Sequence, residues 1–168
     1  MALIFGYGSL VTAPDLRPAT VTGHRRTWGV AMDNTVDLPA YKHYEEPGTG
    51  ARPALMVAFL DLEPGDHEVN GAVFETDDLA ALDARERNYE RVEIATSAGP
   101  AWTYTGSPEG RERLARGIAE DRVVVQRAYL MRVLAGFAAL SPDGLDGFEA
   151  TTSPLPGPLA DLVLVPHR

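Results

Sequence analysis

Cysteine is absent from the 168 residues of this sequence. Disulfide bonds, thiolate catalysis and metal sites built on cysteine are therefore excluded. Positive charge is also scarce, with 15 lysines and arginines against 24 acidic residues and a net charge of −9. Because no basic patch is present to neutralise phosphates, we expect neither nucleic acid nor an anionic membrane surface as a partner.

Long hydrophobic stretches are missing too. No apolar run approaches the length of a transmembrane helix. The apolar run at the start of the chain is short and has no basic residues ahead of it, which is unlike a signal peptide. A cytoplasmic location is therefore expected. The four histidines stand at no spacing typical of metal ligands, and no Ser-His-acid triad can be assembled from their spacing.

The length fits a single domain over residues 1–168, with enough chain for a sizeable core. Apolar periodicity predicts strands at 2–6, 20–32 (one strand or a bent pair), 53–62, 69–75, 91–96 and 101–105, and helices at 76–89, 107–119 and 124–140. Residues 33–50 are predicted to be a long irregular loop, and the tail from residue 151 to be extended. Since strands come first and helices follow, the α+β class with a largely antiparallel or mixed sheet is favoured.

Glu86 is an acid in an unusual position. On the predicted helix at residues 76–89, Leu79, Leu82 and Glu86 share one face at i, i+3 and i+7, and the neighbouring Arg85 and Arg87 are expected to point elsewhere. Desolvation on an apolar face disfavours the charged carboxylate, so the pKa of Glu86 should rise, which suits a general acid and base. A partly buried structural acid is the alternative.

A glycine-rich turn follows the first predicted strand. Gly6, Tyr7, Gly8, Ser9 and Leu10 are expected to expose consecutive backbone N–H groups, which can bind a carboxylate or a developing oxyanion. Gly8 should need either a positive φ or a close approach of its backbone to a ligand. The pattern is neither a dinucleotide fingerprint nor a Walker loop. A plain turn at the end of a strand is the alternative.

These two features together resemble the γ-glutamylcyclotransferase family, including its ChaC-like and AIG2-like branches. The resemblance rests on Phe5 to Leu10, on the strand at residues 69–74, and on Leu82 to Glu86 followed by a tyrosine. It covers residues 1–105 well and the last third only in its general helical layout. In many members a glycine and a longer loop stand between the glutamate and the tyrosine, whereas here Arg87 and Asn88 lead directly to Tyr89.

The resemblance implies a small mixed β-barrel flanked by helices, with no cofactor and no metal. It implies that the turn formed by Tyr7, Gly8, Ser9 and Leu10 holds a γ-glutamyl group while Glu86 acts as acid and base. The reaction would release 5-oxoproline and a free amine from a small γ-glutamyl peptide or amine.

Two further residues, Tyr89 and Tyr104, are candidates for contacts with the substrate, although aromatic residues at this density are mostly core. The loop at residues 33–50 is expected to border the pocket and to select the leaving amine. Alternative functions are a γ-glutamylamine or tailoring cyclotransferase acting on a modified small molecule, and a ligand-binding domain that has lost turnover. The sequence does not indicate an oligomeric state.

Overall fold

A mixed β-sheet of seven strands forms the centre of the protein, which is described here from a computed structural model covering residues 1–167. The strands are β1 (Ala2–Gly6), β2 (Arg17–Asp33), β3 (Lys42–Glu45), β4 (Met56–Thr76), β5 (Tyr89–Thr96), β6 (Gly99–Gly106), β7 (Val123–Gln126), β8 (Leu159–Ala160) and β9 (Val163–Pro166). The helices are α1 (Leu79–Arg85), α2 (Pro108–Ala119), α3 (Arg127–Leu140) and α4 (Gly144–Thr151), with a 3₁₀ helix at Ser9–Thr12.

The central sheet has the strand order β5-β6-β1-β4-β7-β8, and β2 also pairs with β4. Strands β3 and β9 form a separate antiparallel pair. The predicted α+β class, with a mixed sheet and flanking helices, is confirmed. Within residues 1–167 no strand pairing joins the two ends of this path, so the closed barrel that the resemblance implied is not detected.

The two longest strands, β2 and β4, pair antiparallel along almost their whole length. The sequence predicted two strands at 53–62 and 69–75, because the residues between them are polar and include Pro64 and Gly65. In the structure the ladder continues through this exposed segment, with an irregularity where His24 faces both Pro64 and His67. Pairing with β2 thus maintains a strand where local sequence favours a break.

Strand β1 lies inside the sheet and delivers the glycine-rich turn to its centre. It pairs antiparallel with β4 and parallel with β6, and both Ile4 and Phe5 are fully buried. A Cβ atom at Gly6 would lie 2.7 Å from the Cβ of Leu10. Only glycine therefore allows the chain to turn back so closely as it leaves the strand.

Helix α1 is shorter than the predicted helix at residues 76–89. The Asp78 side chain caps it by accepting a hydrogen bond from the Ala81 N–H at 2.9 Å, and its last helical residue is Arg85. Leu79 and Leu82 pack against the small core cluster around Ile4. Glu86 therefore lies just beyond the helix, in the short connection that leads to β5.

The last third of the chain differs most from the prediction. Helix α2 begins as expected, with the Ser107 side chain accepting from the Gly110 N–H at 3.0 Å. The predicted helix at 124–140 is instead strand β7 followed by helix α3, since the β-branched residues 123–125 pair with β4 and β8. Helix α4 was not predicted, and the extended tail contains β8 and β9.

None of the helices in the described residues is long and apolar enough for a membrane crossing.

Candidate active site

Glu86 belongs to the lining of two neighbouring cavities. The outer cavity has a volume of about 440 Å³, within the range of small-molecule sites. The recess is a smaller space of about 30 Å³ beside it, lined by residues 7–10, Glu86 and the side chains of Leu60, Tyr89, Tyr104 and Tyr129. Ser9, Glu86, Tyr89 and Tyr129 line both. The structure thus brings the turn and the acid together, together with both candidate tyrosines.

The turn at residues 7–10 leads from β1 into the short 3₁₀ helix. The Val11 N–H donates to the Gly8 carbonyl at 3.0 Å, and the first N–H groups of such a helix have no partner within it. Gly8 has a φ of −143°, so the expected positive φ is not used. A Cβ atom there would lie 3.4 Å from Leu60 and 3.5 Å from the Tyr129 hydroxyl, on the recess side. Gly8 therefore keeps the recess open.

A buried arginine fixes the orientation of this turn. The Nε of Arg26 donates to the Tyr7 carbonyl at 2.7 Å, and Arg26 itself is fully buried. Its guanidinium lies between the rings of Phe137 and Phe148, 4.7 and 4.6 Å from their centroids. Burial lowers the pKa of Arg26 to about 9. Because the Tyr7 carbonyl and the Gly8 N–H belong to one trans peptide, holding the first also fixes the direction of the second.

Glu86 is largely buried beside the turn. Its backbone N–H still donates to the Leu82 carbonyl at 2.9 Å, as the cap of α1, while only 12% of its side chain is exposed. Burial raises the pKa of the Glu86 carboxyl above its ordinary value, although Arg85 and Lys42 act in the opposite direction. The predicted rise in pKa is confirmed, and it has the predicted cause.

The prediction that Arg85 points away from Glu86 was wrong. The Nε of Arg85 lies 3.1 Å from Oε1 of Glu86, and its Nη2 donates to the Ser9 hydroxyl at 3.3 Å. The helical spacing used for the prediction does not apply because the helix has already ended at Arg85. Arg85 therefore links the acid directly to the turn.

The hydroxyls of three tyrosines around the recess donate to groups on neighbouring elements. The Tyr7 hydroxyl donates to the Tyr104 carbonyl, and the Tyr89 hydroxyl donates to the Leu60 carbonyl at 2.6 Å. The Tyr104 hydroxyl donates to Asp83 at 2.8 Å. Burial raises the pKa of all three, so each hydroxyl stays protonated near neutral pH. These tyrosines shape the recess and are not proton acceptors.

Sequence reasoning gave no role to Tyr129 and Arg132, and it considered Lys42 only as part of the loop at residues 33–50; all three line the outer cavity. The Nζ of Lys42 lies 4.8 Å from the centroid of the Phe59 ring and also lies over Tyr41 and Tyr44. Burial lowers the pKa of Lys42 to about 8, with Glu86 acting in the opposite direction. One sequence signal was present, because Lys42 is the only lysine in the sequence.

Residues 41 and 42 also bear on the predicted loop at 33–50. Strand β3 occupies part of this segment, which is therefore not irregular throughout. Tyr41 and Lys42 line the outer cavity, so this segment does border the pocket as predicted.

In residues 1–167, no three His, Asp or Glu side chains are grouped closely enough to hold a metal ion.

Comparison with known proteins shows a shared fold without detectable sequence similarity. No protein-family model and no curated protein sequence matches the chain. The structure is similar to that of YkqA from Bacillus subtilis, with a TM-score of 0.62 and 12% identity over 93% of this chain. The chain spans 55% of the length of that YkqA chain.

The structure is also similar to that of a yeast γ-glutamyl cyclotransferase specific to glutathione. The TM-score is 0.50 with 13% identity, and the match covers 90% of this chain and 96% of the yeast chain. Identities this low show the fold alone. The fold that the sequence resemblance implied is thereby confirmed as similar to that of a γ-glutamylcyclotransferase.

Proposed function

We propose that the protein cyclises a γ-glutamyl compound to 5-oxoproline and releases a free amine, with Glu86 as general acid and base. The observation that carries this proposal is that Glu86 and the turn at residues 7–10 line the same recess, although they are more than 75 residues apart in sequence. The likeness in fold to the yeast cyclotransferase supports it.

The reaction begins with the removal of one proton. The α-amino group of a γ-glutamyl compound is an ammonium ion at neutral pH and has no lone pair with which to attack. The Glu86 carboxylate accepts one of its protons, and the raised pKa of Glu86 makes this transfer less uphill than to an ordinary carboxylate. The freed amine then attacks the γ-carbonyl carbon within the same molecule, an attack favoured by proximity.

Ring closure places negative charge on the γ-carbonyl oxygen. The backbone N–H groups of Gly8 and Ser9 are candidate donors to that oxygen or to the α-carboxylate of the substrate. As the amide C–N bond breaks, protonated Glu86 donates its proton to the departing nitrogen. The second proton lost by the ring nitrogen leaves with the released amine, which becomes an ammonium ion in water. The products are 5-oxoproline and this amine.

The test is release of 5-oxoproline from a panel of γ-glutamyl dipeptides by the purified protein. Glu86→Gln keeps the size of the side chain and removes the base, so we expect turnover to fall by about 10²–10⁴-fold. Glu90→Gln, a matched loss of an exposed carboxylate on β5, should leave turnover unchanged. A folded Glu86→Gln protein with wild-type turnover would remove Glu86 from the mechanism. No 5-oxoproline from any member of the panel would refute the proposal itself.

A further inference from the structure

Part of the wall of the outer cavity comes from the strand pair β3 and β9, which stands apart from the central sheet. Strand β9 contributes Leu164 to the lining, and β3 contributes Lys42. Among the described residues these two strands pair only with each other. A pair of strands without further partners is marginally stable in water. The side chains that join β3 to β9 therefore decide whether this wall stays in place.

Two histidines make that connection. The Nδ1 of His43 on β3 lies 2.6 Å from the Nε2 of His167, which directly follows β9, and their ring centroids are 4.8 Å apart. The backbone N–H of His167 also donates to the Tyr41 carbonyl at 2.7 Å. Only 14% of the His43 side chain and 17% of the His167 side chain are exposed. These two residues are called the histidine pair below.

The outer nitrogen of each ring faces a hydrogen-bond acceptor. The Nε2 of His43 lies 2.8 Å from Oε1 of Glu45, and the Nδ1 of His167 lies 3.0 Å from the Leu38 carbonyl oxygen. A carbonyl oxygen can only accept a hydrogen bond, and so can an ionised carboxylate. Both outer nitrogens therefore need to carry a hydrogen.

The inner contact needs a hydrogen as well, because two nitrogen lone pairs at 2.6 Å would repel each other. The three contacts together require three hydrogens, whereas two neutral imidazoles hold only two. A carboxyl group is ordinarily a stronger acid than an imidazolium ion, so the additional proton belongs on the rings and not on Glu45. The geometry thus fits one imidazolium ion and one neutral imidazole.

The charged groups around the histidine pair suit one positive charge. Glu45 accepts from His43, and Oδ1 of Asp37, in the segment before β3, lies 3.9 Å from the Nε2 of His167. Asp37 is shared with Arg52, whose Nη1 lies 2.5 Å from it. The Lys42 ammonium group lies over aromatic rings and lines the outer cavity, and β9 itself has no ionisable side chain.

We propose that His43 and His167 share one proton beyond those of two neutral rings, and that this proton holds β9 in the wall of the outer cavity. At higher pH the pair loses the proton, and one of the three contacts then lacks its hydrogen. At lower pH the pair gains a second proton, and two N–H groups face each other across the inner contact. The attachment of β9 is therefore strongest between these two limits and weakens on either side.

Nuclear magnetic resonance of the intact protein with ¹⁵N-labelled histidine counts these hydrogens, because the ring nitrogen shifts differ with and without one. We expect a range of pH in which the histidine pair holds three hydrogens on its four ring nitrogens. A pair that passes from four hydrogens to two with no such range, between about pH 5 and 8 where histidines change charge, would overturn the proposal.

Amide hydrogen exchange of β9 tests the consequence for the wall. His167→Asn keeps a donor and an acceptor but cannot be protonated. At the pH of greatest wild-type protection, we expect this variant to lose protection by about 10- to 100-fold, the range for a hydrogen bond to a charged group. His67→Asn, a matched loss of an exposed histidine on β4, should keep the wild-type protection.

The pH dependence distinguishes a shared proton from simple packing. After correction for intrinsic exchange rates, wild-type protection should pass through a maximum with pH, and the maximum should be absent from His167→Asn. Wild-type protection without a maximum, or an equal loss at every pH in the variant, would show that the rings only pack together and would overturn the proposal.

Discussion

Replacing Lys42 with methionine should make the protein more stable at neutral pH. The pKa of Lys42 is lowered from 10.5 to about 8, chiefly because burial disfavours the ammonium ion. Methionine has a similar length and fits among the rings of Tyr41, Tyr44 and Phe59 without a charge to desolvate. The folded protein thus loses a group that opposes folding.

The magnitude follows from the pKa. In the unfolded chain Lys42 is protonated below pH 10.5, whereas the folded protein accepts this proton only below about pH 8. Between pH 10.5 and pH 8 the unfolded chain therefore binds a proton that the folded protein does not. The free energy of unfolding of the wild type falls as pH drops through this range, and it stays at the lower value at pH 7. At about 1.36 kcal/mol for each pKa unit, the difference is about 3 kcal/mol at most.

Urea denaturation of the wild type and Lys42→Met at pH 7 and at pH 10.5 measures this effect. We expect the variant to be more stable at pH 7 by up to about 3 kcal/mol, and the difference to vanish near pH 10.5. Other groups that titrate in this range are common to both proteins and cancel. Lys42→Arg keeps a permanent charge and should show no gain at pH 7.

A second measurement bears on the same reasoning. Because Lys42 is the only lysine, the pH dependence of its labelling by an amine-reactive reagent reports its pKa directly once the α-amino group is resolved by peptide mapping. A midpoint near 8 is expected, and a midpoint near 10.5 would refute the argument.

The remaining predictions concern the turn and the pH profile. Gly8→Val places side-chain atoms against Leu60 and the Tyr129 hydroxyl, so calorimetric titration with 5-oxoproline should show a larger loss of affinity than for Ser9→Ala. Equal losses would argue against backbone donors. On the acid side of the pH profile, kcat/KM should fall as Glu86 is protonated. The midpoint of this fall should lie at a higher pH than the ordinary pKa of a carboxyl, because the pKa of Glu86 is raised. Arg85→Gln removes a cation that lowers this pKa, so the midpoint should move to still higher pH, and a shift to lower pH would contradict the assigned ion pair.

The part of the site that was predictable from sequence depends on local signals. An apolar run that ends in Gly6 and Gly8 indicates a strand entering a tight turn, and the structure places both there. Ser107 followed by Pro108 predicts the start of α2, because the capping side chain and the first helical residue are neighbours in sequence. The rise in the pKa of Glu86 needed only the expectation of a partly apolar surrounding.

The rest depends on contacts between distant segments. Lys42 and Arg132 enter the outer cavity from β3 and α3, and no periodicity relates either residue to Glu86. Residues 123–125 are apolar without a helical or strand period of their own, so only their pairing with β4 and β8 decides that they form a strand. The pairing of Arg85 with Glu86 required the exact end of α1, which sequence patterns locate poorly.

The anchoring of Arg26 makes the turn at residues 7–10 depend on a distant part of the chain. Three of its acceptors, the Phe148 carbonyl and the hydroxyls of Thr151 and Thr152, belong to the segment that ends α4, more than 120 residues further along the chain. Apart from the Tyr7 carbonyl, the other acceptors of the guanidinium are on Asn70 of β4. The direction of the Tyr7–Gly8 peptide therefore depends on side chains at the end of α4 that take no part in lining the recess. A substitution at Thr151 or Thr152 acts on the recess only through Arg26.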